Sequence, residues 1–516
     1  MSTQYSNHFG FADKLMADCI PPDKRHNGRD LERRNHGELR VLDRFFKLSE
    51  HHTTVRTELL AGVTTFLTMA YIIFVQPAVL SGSMFDIETG MSFGAVTTAT
   101  CLAAALATLV MGLYARYPIA QAPGMGENFF FVFSVLPAAG ALAAVKSGAT
   151  TPWEVALGVV FIAGVLFLIL SLFGVREKLL DAISPSMRNA IAIGIGLFIA
   201  LIGLQNANLV VDNPGTLVRL NPQFASPDFL VFFCGLIVTA GLHARRVRGS
   251  IVWGILAALL LAVTLKSLIP YLPASVAQSP NLVDSMLVTR CTIADHVVAA
   301  PPSMSPTLLK MDLVHALTWT MVPYILIFLF MDLFDTLGTL IGVSEQAGLI
   351  KDDKLPRANR ALLSDAIGTV AGAAMGTSTV TSFIESASGV EQGGRTGLTA
   401  VTVAVLFLLA LFFSPIIAMV GSYPPITAPA LIVVGSMMMR NVTKVDWANY
   451  ADSIPSFLII VGIPMTYSIA DGLALGFISY PIIKLAAGQG RDVKWLMYVM
   501  AAVLVAYFIF IRQGTV

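Results

Sequence analysis

The chain predicts an all-α polytopic membrane protein. We expect about fourteen transmembrane segments in a 7+7 inverted repeat, with short extended strands before half-helices in segments 3 and 10. Three observations lead there. Of the 516 residues, 55% are hydrophobic and 13% charged, roughly half the charge density of a soluble domain. Apolar runs of near-spanning length recur along most of the chain, and Lys/Arg clusters fall in alternate turns. Two segments are interrupted by polar residues at matching places in the two halves. The net charge of +1 gives no reason to expect nucleic acid as a partner. Cys19, Cys101, Cys234 and Cys291 have neither metal nor redox spacing, and His51-His52 stands isolated, so no metal or cofactor is expected.

Residues 1–54 form a basic arm with Arg25, Arg29, Arg33, Arg34, Arg40, Arg44 and Lys47. It reads as cytoplasmic, and the first span serves as the insertion signal. Residues 55–175 hold segments 1–4, with spans near 57–80, 93–114 and 155–173 around a broken third segment at 121–131. Arg116, then Arg176, Lys178 and Arg188, mark internal turns. Residues 176–269 hold segments 5–7, and Arg245, Arg246 and Arg248 mark another internal turn. Residues 270–314 are a long external loop joining the halves. Residues 315–420 hold segments 8–11, with Lys351, Lys354, Arg357, Arg360 and Arg395 inside. Residues 421–490 hold segments 12–14, ending at Lys484 and Arg491. The hydrophobic 491–516 stretch reads as an accessory segment. Its 495–511 run is either a further crossing or a helix lying at the headgroups.

The tenth segment, 376–389, is rich in Ser, Thr and Gly and carries Glu385. Polar backbone at that depth requires a protein-lined cavity, and an acid inside one marks a functional site. Residues 377–383 are β-prone, and a half-helix can begin at Ser386. The third segment carries Gly124, Gly126, Glu127 and Asn128 before Phe129-Phe130-Phe131. Asn128 and Glu385 each lie about 70 residues past the start of their half, and an odd segment number per half inverts the repeat. A pseudo-twofold axis then brings the two interruptions face to face, with half-helix starts offering unpaired backbone N–H groups.

Asp332 and Asp335 share a helix face. Asp335, beside Thr336 and Gly338, is expected to face the cavity; Asp332 is either a second cavity acid or a paired structural one. Glu127 points away from Asn128 and is expected at an interface between moving parts. Asp335, Glu385, Asn128 and backbone N–H groups offer acceptors and donors, while Phe129 and Phe383 offer flat apolar faces. A small planar ligand with several edge N–H and C=O groups matches this inventory better than an inorganic anion does.

Five stretches carry a resemblance: Thr65-Phe66-Leu67-Thr68-Met69-Ala70-Tyr71-Ile72, Ala122-Pro123-Gly124-Met125-Gly126-Glu127-Asn128, Phe334-Asp335-Thr336-Leu337-Gly338-Thr339, Ile384-Glu385-Ser386-Ala387-Ser388-Gly389 and Gly393-Gly394-Arg395-Thr396-Gly397-Leu398-Thr399. Over residues 55–490 the chain resembles the nucleobase–cation symporter family, in its Azg-like branch of adenine, guanine and hypoxanthine permeases. Gln76-Pro77 departs from the branch's usual Asn-Pro, and Glu127 with its Phe run departs from the commoner Leu-Asn-Ala-Tyr. The resemblance implies a uracil-permease-like fold, with a core domain (segments 1–4 and 8–11) sliding against a gate domain (5–7 and 12–14), commonly in a homodimer. It implies that Asp335 and Glu385 anchor a purine edge, that Asn128 and Gly126 complete the site, and that transport is proton-coupled; Phe129, Phe383 and Ser386 are further candidate substrate-binding residues from the reading of the residues themselves. Glu385, Asp335 and Asp332 are the candidate proton carriers, because two acids in one low-dielectric site without a basic partner favour a protonated carboxyl. The alternatives are a xanthine, urate or uracil permease of the same fold and, more weakly, an anion transporter. No catalytic motif of an intramembrane enzyme is present.

Overall fold

The computed structural model describes residues 43–85, 87–173, 183–222, 224–349, 356–506 and 508–509. The basic arm up to residue 42, Arg176, Lys178, Lys351, Lys354 and the end of the chain lie outside the described residues.

The described residues are mostly helical. The elements that matter here are α1 (Val55–Met69), α2 (Ile72–Leu80), α3 (Phe93–Val110), β1 (Gln121–Pro123), α4 (Met125–Phe130), α5 (Pro152–Phe173), α6 (Pro185–Asn206), β2 (Val210–Asn213), β3 (Leu217–Leu220), α7 (Pro227–Ala244), α8 (Ser250–Leu268), α9 (Val322–Gln346), α10 (Ala358–Met375), β4 (Val380–Ser382), α11 (Ser386–Glu391), α12 (Gly397–Ala410), α13 (Ala428–Met438), α14 (Tyr450–Thr466), α15 (Ile469–Ala486) and α16 (Trp495–Ala506). Among the described residues, nine helical stretches are long and apolar enough to cross a membrane. The other expected segments coincide with the shorter or broken elements β1–α4, β4–α11, α13 and α14, and with α10, which is long enough but less apolar.

Two sets of helices pack among themselves. In one, α12 lies on α1 and α3, while α10 lies on α5 and α3; in the other, α6 lies on α13 and α14, α14 on α15, and α7 on α8. Helix α16 lies on α15 with Met497, Met500, Ala501 and Leu504 buried. A β2–β3 hairpin between α6 and α7 is absent from the sequence-based expectation. Its Asn213-Pro214-Gly215-Thr216 turn is closed by the Gly215 N–H donating to Asn213 Oδ1 at 2.8 Å.

Strands β1 and β4 pair antiparallel, with Gln121 opposite Ser382 and Pro123 opposite Val380, as expected for the facing interruptions. Bonds from Gly124 N–H to Thr379 O (3.1 Å) and from Phe383 N–H to Ala120 O (3.0 Å) extend the ribbon. Two strands leave two open edges, and an open edge at membrane depth would strand backbone groups. Threonines on the flanking helices close both. Thr108 Oγ1 on α3 donates to Gln121 O and accepts from Gln121 N–H, each at 2.9 Å. Thr369 Oγ1 on α10 donates to Val380 O at 3.0 Å and accepts from Val380 N–H at 3.1 Å. The two halves use the same device at corresponding places, as an inverted repeat should.

Helix α10 ends at Gly376, whose φ of +100° suits glycine alone. Thr307 of the long 270–314 loop caps the same end, donating to Met375 O at 3.0 Å. At Gly389, a Cβ atom would stand 2.1 Å from Thr65 Oγ1 and 2.6 Å from Ala61 O, so α11 lies directly against α1.

Candidate functional site

The turn from β4 into α11 carries Glu385 beside α9. Along α9, Asp335, Gly338, Ile341 and Glu345 are exposed at helical spacing, so one face of this otherwise buried helix borders open space. A side chain on Gly338 would meet nothing within 4 Å, and one on Gly342 would reach Ile384 Cδ1 at 3.7 Å. Half-exposed Ile384 forms the opposite wall. Beyond Glu345, Gln346 donates to Glu391 at 2.9 Å.

Asp335 and Glu385 meet here, close enough to interact through space. Tyr71, fully buried just after α1, donates its hydroxyl to Glu385 Oε1 at 2.8 Å. Thr68 Oγ1 reaches Glu385 O at 3.3 Å. No Lys or Arg takes part in these bonds. The arrangement is a pair of acceptors beside a partly apolar open face, suited to a ligand that presents N–H groups.

The other expected residues lie behind this pair. Asn128 is fully buried; its amide donates to Gln76 Oε1 and accepts from the Ser378 hydroxyl. Gln76 Nε2 in turn donates to Thr377 Oγ1 at 2.8 Å and Ser378 Oγ at 3.2 Å. Asn128 therefore ties α2, α4 and the segment before β4 together, using both ends of its amide on protein. Ser386 Oγ accepts from Ala120 N–H at 3.0 Å, which clamps β1. Gly126 lies between α6 and α9, where a Cβ atom would stand 3.0 Å from Ile195 Cγ2 and 3.6 Å from Met331 Cε. Phe129 is packed edge-on to Phe198 and Phe85, at ring-centroid distances of 6.0 Å to each. Phe383 is buried in the core.

The expected unpaired N–H groups at the second half-helix are not free. Ser386, Ala387 and Ser388 donate to Phe383 O, Ile384 O and Glu385 O at 3.0–3.1 Å, because the chain coils into tight turns before α11 begins. Glu127, expected at an interface between moving parts, is buried and close enough to interact with Asp335 and Asp332.

Asp332 is buried and accepts from Thr369 Oγ1 at 3.0 Å. Asp365 on α10 is fully buried and accepts from Gln121 Nε2 at 2.7 Å and from Ser382 Oγ at 3.4 Å. Sequence reasoning passed over Asp365, although an acid inside an expected span was a signal of the same kind as Asp335. Tyr71 and Gln76 carry no such signal, since Tyr and Gln are ordinary inside helices.

Gln76→Leu removes the donor and acceptor that hold Asn128, Thr377 and Ser378. We expect about 2–3 kcal/mol of destabilisation for the polar atoms left unpaired. The check is a thermal-unfolding curve of detergent-purified protein against the wild type.

A family model described as "Permease family" matches residues 56–475. A putative permease of Methanocaldococcus jannaschii is 44% identical over 92% of this chain and 99% of its own. The guanine/hypoxanthine permease PbuG of Bacillus subtilis is 42% identical over 91% of this chain and 99% of its own. The adenine permease AdeP of Escherichia coli is 39% identical over 91% of this chain and 96% of its own. Among solved structures, the transmembrane domain of the cyanobacterial bicarbonate transporter BicA matches with a TM-score of 0.54 at 14% identity, over 84% of this chain and 97% of that one. That likeness concerns the fold alone.

Proposed function

We propose that this chain, which belongs to the Permease family, imports purine nucleobases by proton symport. It is an integral multi-pass membrane transporter and not an enzyme. The observation that carries the purine reading is the meeting of Asp335 and Glu385, without Lys or Arg, at an open crevice lined by Ile341 and Ile384. A purine presents ring and exocyclic N–H groups on a flat apolar body, and two carboxylates with apolar walls complement that shape. The names of PbuG and AdeP support adenine, guanine and hypoxanthine as the substrates.

In this reading the β1–β4 ribbon and its helices (residues 55–175 and 315–420) form a core that slides against a gate (176–269 and 421–490), an elevator-type alternating access. The two packing sets support that division, and the aromatic contacts of Phe129 and Phe133 with Phe198 lie between them. The N-terminus is cytoplasmic in the plasma (inner) membrane, the shorter elements complete fourteen crossings, and the working unit is a homodimer.

The test is uptake of labelled adenine, guanine and hypoxanthine by cells that lack their own carriers, with and without an uncoupler. Concentrative, uncoupler-sensitive uptake is expected. Competition by xanthine, urate or uracil, with none from the three purines, would move the substrate elsewhere in the family. Uptake indifferent to the uncoupler would remove the proton.

A further inference from the structure

Behind the Asp335–Glu385 pair lies a second acidic layer that the purine reading leaves without a task. Asp332 on α9 and Asp365 on α10 are buried, with 2% and 0% of their surfaces exposed. Their side chains are within hydrogen-bonding reach of each other. Asp332 Oδ1 and Asp365 Oδ2 have no other partner, and neither does Oε1 of Gln121, whose Nε2 is bonded to Asp365. Three buried acceptor atoms on these linked side chains thus lack a hydrogen-bond donor.

Thr369 sharpens the shortage. Its single hydroxyl hydrogen is demanded at 3.0 Å by both Val380 O and Asp332 Oδ2. Shared between the strand edge and Asp332 Oδ2, that hydrogen leaves Oδ1 of Asp332 without any donor. Two like charges in contact in a buried place do not both persist, and a proton between them resolves the conflict. The titratable groups facing the pair are also acids: Asp335 on α9, Glu127 on α4 and, beyond Asp335, Glu385. Among the described residues, no three His, Cys, Asp or Glu side chains are grouped as a metal site requires.

A line of hydroxyls joins this layer to the crevice. Asp335 is within hydrogen-bonding reach of Thr381. Thr381 and Thr336 share a hydrogen bond of 2.7 Å. Thr336 reaches Asp365. Both threonines are buried.

We propose that Asp332 and Asp365 form a carboxyl–carboxylate pair that binds the co-transported proton one layer behind the purine, loaded and unloaded through Thr381 and Thr336. The unloaded pair holds one proton and one negative charge. Loading makes it neutral: Asp335 gives its proton to Thr381, each hydroxyl passes its own hydrogen onward, and Asp365 receives the last. Asp335 ends as a carboxylate, free to accept from the ligand. Proton and purine then occupy different residues.

The inference rests on the proposed purine symport, and its test separates the two. Wild type, Asp365→Asn and Thr336→Val are reconstituted in liposomes and compared for labelled-purine counterflow and for accumulation driven by an imposed pH gradient. Asp365→Asn is expected to keep counterflow and to lose accumulation, with the concentration ratio falling to unity. It also loses the proton uptake that purine triggers in a weakly buffered suspension. Thr336→Val keeps the shape of its residue and is expected to slow pH-driven uptake by roughly a hundredfold, the lower end of what a positioned proton-transfer group contributes. Accumulation by Asp365→Asn, wild-type rates in Thr336→Val, or a wild type driven by a sodium gradient instead would each overturn the proton pair. If Asp365→Asn fails to fold, Thr336→Val decides. A wild type without any purine counterflow would instead sink the purine reading itself.

Discussion

Glu385→Gln loses tight purine binding, with the dissociation constant rising roughly ten- to a hundredfold. Tyr71 already takes one carboxylate oxygen, at 2.8 Å. A purine N–H needs the other, and a charged acceptor in a poorly hydrated crevice contributes about 1.5–3 kcal/mol. The amide supplies a weaker acceptor and sets an NH₂ group against a ligand N–H. Equilibrium binding of labelled purine to purified protein measures the change. A dissociation constant within about twofold of wild type, well under 1 kcal/mol, would show that Glu385 does not touch the ligand.

Glu58→Ala is expected to cost about 3–5 kcal/mol of stability and most of the folded yield. Glu58 is fully buried on α1. Its carboxylate accepts from Arg395 N–H at 2.9 Å, Thr396 N–H at 3.3 Å and Thr399 Oγ1 at 2.5 Å. These groups open α12, so the carboxylate also meets the positive end of a helix. Thr396 in turn accepts from Leu398 N–H at 3.3 Å. Truncation leaves three donors at the α1–α12 contact without a partner. Thermal unfolding in detergent, beside a Glu58→Gln variant that keeps one acceptor oxygen, is the check; equal stability of Glu58→Ala and wild type would refute the argument.

The features legible in the sequence were those written locally. Polar interruptions inside apolar spans marked β1–α4 and β4–α11, and acids at membrane depth marked Asp335 and Glu385. Partner choice was not legible. Glu58 meets the Arg395 turn across more than half the chain, and nothing near either residue names the other. Asn128 looked like a ligand-binding amide because a buried amide must bond to something; only the fold shows Gln76 and Ser378 doing so. The β2–β3 hairpin was hidden because its few residues sit in a loop between two strong helical patterns. Asp365 was passed over because its segment is short and its neighbours are small.

The hydroxyl stitches from Thr108 and Thr369 have a mechanical consequence. With both outer edges sewn to helices and the inner edges bonded to each other, the ribbon cannot open without breaking backbone bonds in oil. The inverted halves are thereby welded at their centre. Any motion that exposes the cradle first to one face of the bilayer and then to the other has to carry the weld as cargo, with slippage confined to greasy surfaces elsewhere.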